Sequence, residues 1–204
     1  MDKEKEMEFL EVPQLYCSLD PTDYQYFNQL LHHRTVVFNT TVDEDIVERV
    51  IVPLLEFEKD DSNEPVTLLI SSLGGSVIAG LSVCNIIDNY KKSLNIIVLN
   101  YAFSMGTILM CAGAHNPNVT RSAYPFSTFL VHDGSYALVE APTGSQKDTV
   151  AYFEMLDDNV KEYMIKNTNI TRELIDSWER KEVYLSAQQA KEYGLIDKII
   201  GVDD

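Results

Sequence analysis

The chain has 204 residues, 45% of them hydrophobic, 10% aromatic and 24% charged, a composition that supplies a packed core and excludes disordered, collagenous and membrane-embedded classes. Its 16 Lys+Arg stand against 32 Asp+Glu, a formal net charge of −16, so the surface repels phosphate backbones and anionic lipid and no nucleic-acid partner is expected. Cys17, Cys84 and Cys111 form neither a CxxC nor a Cys/His ligand spacing, which argues against a disulfide framework and a zinc site; no metal or cofactor is expected.

The first residues, Met1 to Glu6, alternate in charge and no apolar run follows them, unlike a secretory signal. Residues 35–38 (TVVF) read as a strand. Ile46, Val47, Val50, Ile51, Leu54 and Leu55 then recur at helical spacing behind acidic Asp43, Glu44 and Asp45, with Pro53 expected to bend that helix. Residues 66–71 read as a buried strand, followed by the turn Leu73-Gly74-Gly75-Ser76 and a helix carrying Val77, Ile78, Leu81, Val83, Cys84, Ile86 and Ile87. A strand at 95–100 leads into a small-residue helix over 105–114. From Ser93 to Thr120 there is no formal charge, but Asn95, Asn100, Ser104, His115 and Asn116 interrupt the run, and no apolar stretch approaches the roughly 20 residues a spanning helix needs. A cytoplasmic location is expected.

A further strand is predicted at 128–132, then a loop or hairpin containing Gly134, Pro142 and Gly144, then a long helix over about 146–166. In that helix Phe153, Leu156, Val160 and Tyr163 form a narrow apolar seam, suited to helix-to-helix contact at an interface or to packing on the chain's own sheet. Ser186 with Gln189 reads as a capping box, Gly194 closes the short helix behind it, and 195–200 reads as a last strand. Strand and helix in alternation predict an α/β fold with mostly parallel pairing.

Ser104 lies in Ala102-Phe103-Ser104-Met105-Gly106, between a buried strand and a helix. This is a nucleophile-elbow pattern with Ala in place of the first Gly, and the helix start concentrates unpaired N–H groups where an oxyanion would form. Gly74 and Gly75 offer a second set of backbone donors unobstructed by a β-carbon. No GxGxxG or Walker pattern accompanies them, so a nucleotide site is not indicated. A serine hydroxyl at neutral pH needs a base. Of His32, His33, His115 and His132, His132 is best placed, at the end of an apolar strand. A carboxylate should orient the imidazole, and 32 acidic residues leave that choice open.

Ser71-Ser72-Leu73-Gly74-Gly75-Ser76-Val77, Phe103-Ser104-Met105-Gly106, Leu130-Val131-His132 and Tyr184-Leu185-Ser186-Ala187 through Tyr193-Gly194-Leu195-Ile196-Asp197 together resemble the ClpP family, the proteolytic subunits of Clp proteases. The resemblance runs from about residue 36 to 200. It implies the ClpP/crotonase α/β superhelix, with residues 1–18 as an N-terminal segment forming an axial loop, 19–204 as one peptidase domain and about 134–167 as a protruding handle.

The same resemblance implies Ser104 as nucleophile, His132 as general base, and the Gly75 and Met105 N–H groups as oxyanion hole, with Gly74, Ser76, Asp133 and Gly134 at the substrate strand. Glu182 falls where the family usually has Asp, and Asp176 is the reserve candidate for the acid. The implied activity is serine endopeptidase action on unfolded chains or short peptides through an acyl-enzyme, without cofactor. The implied assembly is a homo-oligomer of two stacked heptameric rings, with a Clp-type ATPase unfoldase as candidate partner. Leu73 replaces the usual Pro and Asp133-Gly134 the usual Gln-Pro, while Thr67 and Leu69 stand where the family commonly has aromatic residues of its ATPase-docking pocket. Thr67 and Leu69 keep in view a related prohead or membrane-associated peptidase working without an ATPase, and Glu182 keeps in view a catalytically weak structural ring subunit.

Overall fold

The computed structural model describes residues 28–134 and 143–203. The N-terminal segment 1–18, Cys17 and the loop around Pro142 lie outside the described residues. The strands are β1 Thr35–Phe38, β2 Val66–Ser72, β3 Leu94–Phe103, β4 Val119–Ala123, β5 Thr128–Val131, β6 Val183–Ser186 and β7 Lys198–Ile199. They form one sheet in the order β1-β2-β3-β4-β7, with β5 added to β3 and β6 to β5. Every pairing is parallel except β5 with β6, in accord with the strand-helix alternation of the sequence.

β3 is the pivot. Its first half, Leu94 to Val98, pairs with β4, and its last residues, Tyr101 to Phe103, pair with β5. The sheet therefore forks, and the residue that leaves the end of β3 sits where two parts of the sheet meet. Leu94, Ile96 and Val98 on β3 and Val66, Leu68 and Ile70 on β2 are fully buried, the alternate positions of strands with one face on the core.

The helices are α1 Val52–Lys59, α2 Val77–Asp88, α3 Met105–Leu109, α4 Thr143–Asn167, α5 Arg172–Ser177 and α6 Ala187–Glu192. The bend expected at Pro53 takes the form of a π-helical segment, Val47–Ile51, in which the Val52 N–H reaches back to the Val47 carbonyl. Pro53 has no N–H to give, and the wider turn absorbs the lost bond. The capping box at Ser186 and Gln189 is present in both directions. α4 begins at Thr143, ahead of the expected start. Its C-terminal half is anchored by buried Met164 and by Tyr163, whose hydroxyl donates to Asp88 at 2.8 Å.

Two expectations need correction. The helix predicted over 105–114 is only Met105–Leu109, because the chain breaks into turns around Gly113, whose φ of 74° is left-handed. The last strand shrinks to Lys198–Ile199. Leu195 and Ile196 are buried off the ladder, and the Asp197 carboxylate takes both the Arg121 backbone N–H and its guanidinium. β4, with sequence VTRSA, was not foreseen, because its buried Arg121 hides the strand signal. Arg121 is 5% exposed and satisfied by Asp197 and by the Met110 and Gly194 carbonyls.

Cys84 and Cys111 are buried free thiols. Burial raises the pKa of Cys84 and pushes that of Cys111 up to about 12, so both act as small hydrophobes. Among the described residues no helix is long and apolar enough to cross a membrane.

Candidate active site

Ser104 leaves β3 with φ 53° and ψ −122°, a conformation that a non-glycine residue holds only when its surroundings enforce it. Its N–H donates to the Leu130 carbonyl at 2.8 Å, tying the turn to β5. Behind it the fully buried Thr107 places Oγ1 2.6 Å from the Ala102 carbonyl oxygen and 2.8 Å from that of Leu130, and accepts from the Leu130 N–H at 3.3 Å. One hydroxyl thus clamps β3, α3 and β5 around the turn. Little in the sequence marks Thr107; a threonine three residues into a helix behind a candidate elbow is a weak signal.

His132 follows the last residue of β5, and its Nε2 lies 2.8 Å from Ser104 Oγ. Two side chains 28 positions apart meet because β5 pairs in parallel with the end of β3, Phe103 opposite Leu130. A base within hydrogen-bond reach of a serine hydroxyl is the geometry that nucleophilic catalysis requires.

The glycine pair lies alongside. Gly74 has φ 92°, and a β-carbon built on it would fall 2.5 Å from the Phe103 oxygen, 2.7 Å from Ser104 Cβ and 2.8 Å from Met105 N. Only glycine lets this loop touch the elbow. At Gly75 the chain bridges Val42 in parallel, with the Val42 N–H on the Gly74 oxygen and the Ser76 N–H on the Val42 oxygen. In such a bridge the Gly75 N–H points away from Val42, toward the β3 side where Ser104 lies. Met105 is the first residue of α3, so its N–H belongs to the unpaired set at a helix start. Ser72 holds the loop in place: its Oγ donates to the Thr40 carbonyl at 2.6 Å and accepts from the Gly74 N–H at 3.1 Å. Ser76 is occupied as the N-cap of α2, accepting from the Ala79 N–H.

Glu182 lies one residue beyond the antiparallel ladder. The register runs Leu130 with Tyr184 and Val131 with Val183, so His132 and Glu182 are the next facing positions; in a regular ladder such a pair has β-carbons about 4.5–5.5 Å apart. Its carboxylate accepts from the Tyr184 hydroxyl at 3.1 Å; this bond and the neighbouring charge push the Tyr184 pKa up. Among the described residues no carboxylate hydrogen-bonds the imidazole. Asp176, on α5, faces Arg172 at 3.8 Å. Asp133 turns its carboxylate to the Arg180 N–H at 2.6 Å, and Gly134 is exposed beside Asp157.

A cleft of about 920 Å³ opens from Ser104 and His132. Val77, Ile78 and Ile108 line one side, and Phe153, Leu156 and Val160 of α4 the other. The predicted seam of α4 therefore faces the cleft over these three residues. An extended peptide passing Gly75 would lay side chains into this space.

The strained serine with a base at its hydroxyl and donors around it defines a serine hydrolase. The sequence profile of the Clp protease family matches residues 19–203. An ATP-dependent Clp protease proteolytic subunit of Cyanophora paradoxa is 35% identical over 175 residues, 84% of this chain and 87% of its own length. Proteins of the same description from two strains of Dehalococcoides mccartyi are 31% identical over 179 residues, 87% of this chain and 86% of theirs. The chain belongs to the Clp protease family and is a serine-type endopeptidase.

Proposed function

We propose that this chain is the proteolytic subunit of a Clp-type assembly and that Ser104 attacks the peptide carbonyl while His132 takes its proton. The observation that carries this reading is the 2.8 Å approach of His132 Nε2 to Ser104 Oγ on an elbow already held in attacking posture. As the Ser104 Oγ–carbonyl carbon bond forms, negative charge gathers on the carbonyl oxygen, and the Gly75 and Met105 N–H groups receive it. The imidazolium then gives its proton to the departing amine and an acyl-enzyme remains, which water, deprotonated by His132, cleaves to free the serine. Glu182 stabilises the imidazolium and sets its tautomer after turning from Tyr184 to the position facing it in the ladder.

The substrates are peptides or unfolded chains running beside Gly74 and Gly75, with Asp133 and Gly134 at the rim of the cleft. The assembly is a homo-oligomer of two stacked heptameric rings in the cytoplasm, fed by a Clp-type ATPase; hydrolysis in the cleft itself consumes no ATP. The test is labelling with a fluorophosphonate probe followed by intact mass. Wild-type protein should gain one adduct at Ser104. Ser104→Ala should gain none and lose kcat by on the order of 10⁶-fold while sedimenting as the same oligomer. Labelling that persists in Ser104→Ala at the wild-type rate would reject the mechanism.

A further inference from the structure

The pairing of β5 with β6 ends at Val131 and Val183, so no ladder bond holds Glu182 where it faces His132. What fixes it lies in the turn just before it. Lys161 of α4 has a side chain only 15% exposed, with Nζ 3.1 Å from Asp157 Oδ2 on its own helix and 3.0 Å from Glu179 Oε1 on the turn. From the opposite side Asp133, next to His132, accepts the Arg180 N–H at 2.6 Å. Arg180 has φ 60°, left-handed for a non-glycine residue and stable only where neighbours impose it. The Glu179 N–H to the Asp176 carbonyl and the Lys181 N–H to the Trp178 carbonyl close the same turn.

We propose that Lys161 and Asp133 are positioning residues: through Glu179 and Arg180 they strap the 178–182 turn to α4 and to the end of β5, so that Glu182 arrives opposite His132. The inference rests on the reading of Glu182 as the acid of the triad. The strap is a charged group in a half-enclosed place, where removing one partner leaves the others poorly satisfied. Burial works against the Lys161 ammonium, but the hydrogen bonds and charges of Glu179 and Asp157 outweigh it and hold the pKa above the ordinary lysine range. The ammonium therefore keeps its charge throughout the neutral range. Lys161, Asp157, Glu179, Arg180 and Asp133 all line the cleft that holds Ser104, so the strap spans the working side of the molecule.

The test is steady-state hydrolysis of a short fluorogenic peptide by the full-length assembled protein. Lys161→Met should lower kcat roughly ten- to hundredfold, the scale of a small misplacement of a catalytic group, with KM unchanged. Lys161→Arg should restore most of the rate, and Glu179→Gln should repeat the loss, which decides the matter if Lys161→Met does not assemble. In a Glu182→Gln background Lys161→Met should cost nothing more, because the residue it serves is already disabled. A wild-type kcat in both Lys161→Met and Glu179→Gln, or a Lys161→Met loss that adds in full to that of Glu182→Gln, overturns the strap. The triad reading survives that result as long as Glu182→Gln alone still slows hydrolysis. Should Glu182→Gln alone leave kcat untouched, the acid assignment fails and the strap fails with it.

Discussion

The two halves of the proposed site are built from different materials. Around Ser104 the chain is fixed by buried main-chain bonds: its own N–H on Leu130, the Thr107 hydroxyl among three backbone groups, and Gly74 packed against the turn. Around Glu182 it is fixed by an exposed turn, side-chain ion pairs and one residue of register beyond the ladder. A nucleophile must keep a strained conformation through every turnover, and buried bonds in a low-dielectric setting resist it well. An orienting carboxylate must only reach an imidazole edge, and a looser mounting serves. The difference predicts that faults on the serine side cost stability as well as rate, and faults on the acid side cost rate alone.

The largest effect short of removing the nucleophile belongs to the acid side. Glu182→Gln should drop kcat by up to about 10⁴-fold, the scale of losing the correct imidazole tautomer, with no change in melting temperature, since the residue is exposed and outside any ladder. Glu182→Asp should retain more activity than Gln despite its shorter reach. Peptide hydrolysis beside thermal unfolding measures both; a lowered melting temperature in Glu182→Gln would break the contrast. Next comes the serine side. Gly74→Ala forces a β-carbon within 2.5–2.8 Å of backbone and Cβ atoms and a left-handed φ on alanine, so the elbow must shift. Hydrolysis should fall about 10²-fold or more together with the melting temperature. Fluorophosphonate labelling should slow in parallel, because the defect lies at the nucleophile itself.

This division also explains which parts were legible in the sequence. The serine side is made of short-range patterns: a strand, a small-residue turn and a helix around Ser104, and two glycines behind an apolar strand. Each leaves a local trace that spacing alone can read, and His132 was reachable because it ends an apolar strand. Gly74 and Gly75 were readable as open donors, but not that Gly74 touches Ser104. That contact joins distant segments through the forked β3, and the fork depends on β4, whose buried Arg121 masked it. The acid side left almost no trace. The proposed acid, one Glu among 32 acidic residues, follows a turn whose left-handed residue is Arg180 where glycine or asparagine would have advertised it, and only the family resemblance singles it out. The resemblance implies Asp133 as a substrate contact, and its bond to Arg180 requires knowing that β5 and β6 are antiparallel.

Thr107→Val separates the two kinds of construction further. The substitution keeps the shape and removes the hydroxyl from a fully buried position, so the Ala102 and Leu130 backbone groups lose its hydrogen bonds while the Leu130 carbonyl keeps the Ser104 N–H. Stability should fall by about 0.5–1.5 kcal/mol, the net worth of a lost hydrogen bond, read from denaturant unfolding with the m-value unchanged. The rate should follow as the elbow relaxes. Unaltered stability would mean that the Thr107 hydroxyl holds nothing that the Ser104 N–H bond to Leu130 and the packing do not.

The smallest effect tests how loosely the acid is mounted. Tyr184 is half exposed and its hydroxyl binds the Glu182 carboxylate at 3.1 Å, so the carboxylate must give up or share that bond to meet His132. A single exchange of one hydrogen bond for another moves a rate by no more than about tenfold. Tyr184→Phe should therefore raise kcat by a few-fold, since it removes the competitor while keeping the ring on Phe103. The gain must vanish in Glu182→Gln, because an amide has no triad role to recover. A lower kcat in Tyr184→Phe would reverse the assignment and make the hydroxyl a support for Glu182, leaving the acid side more tightly built than its exposure indicates.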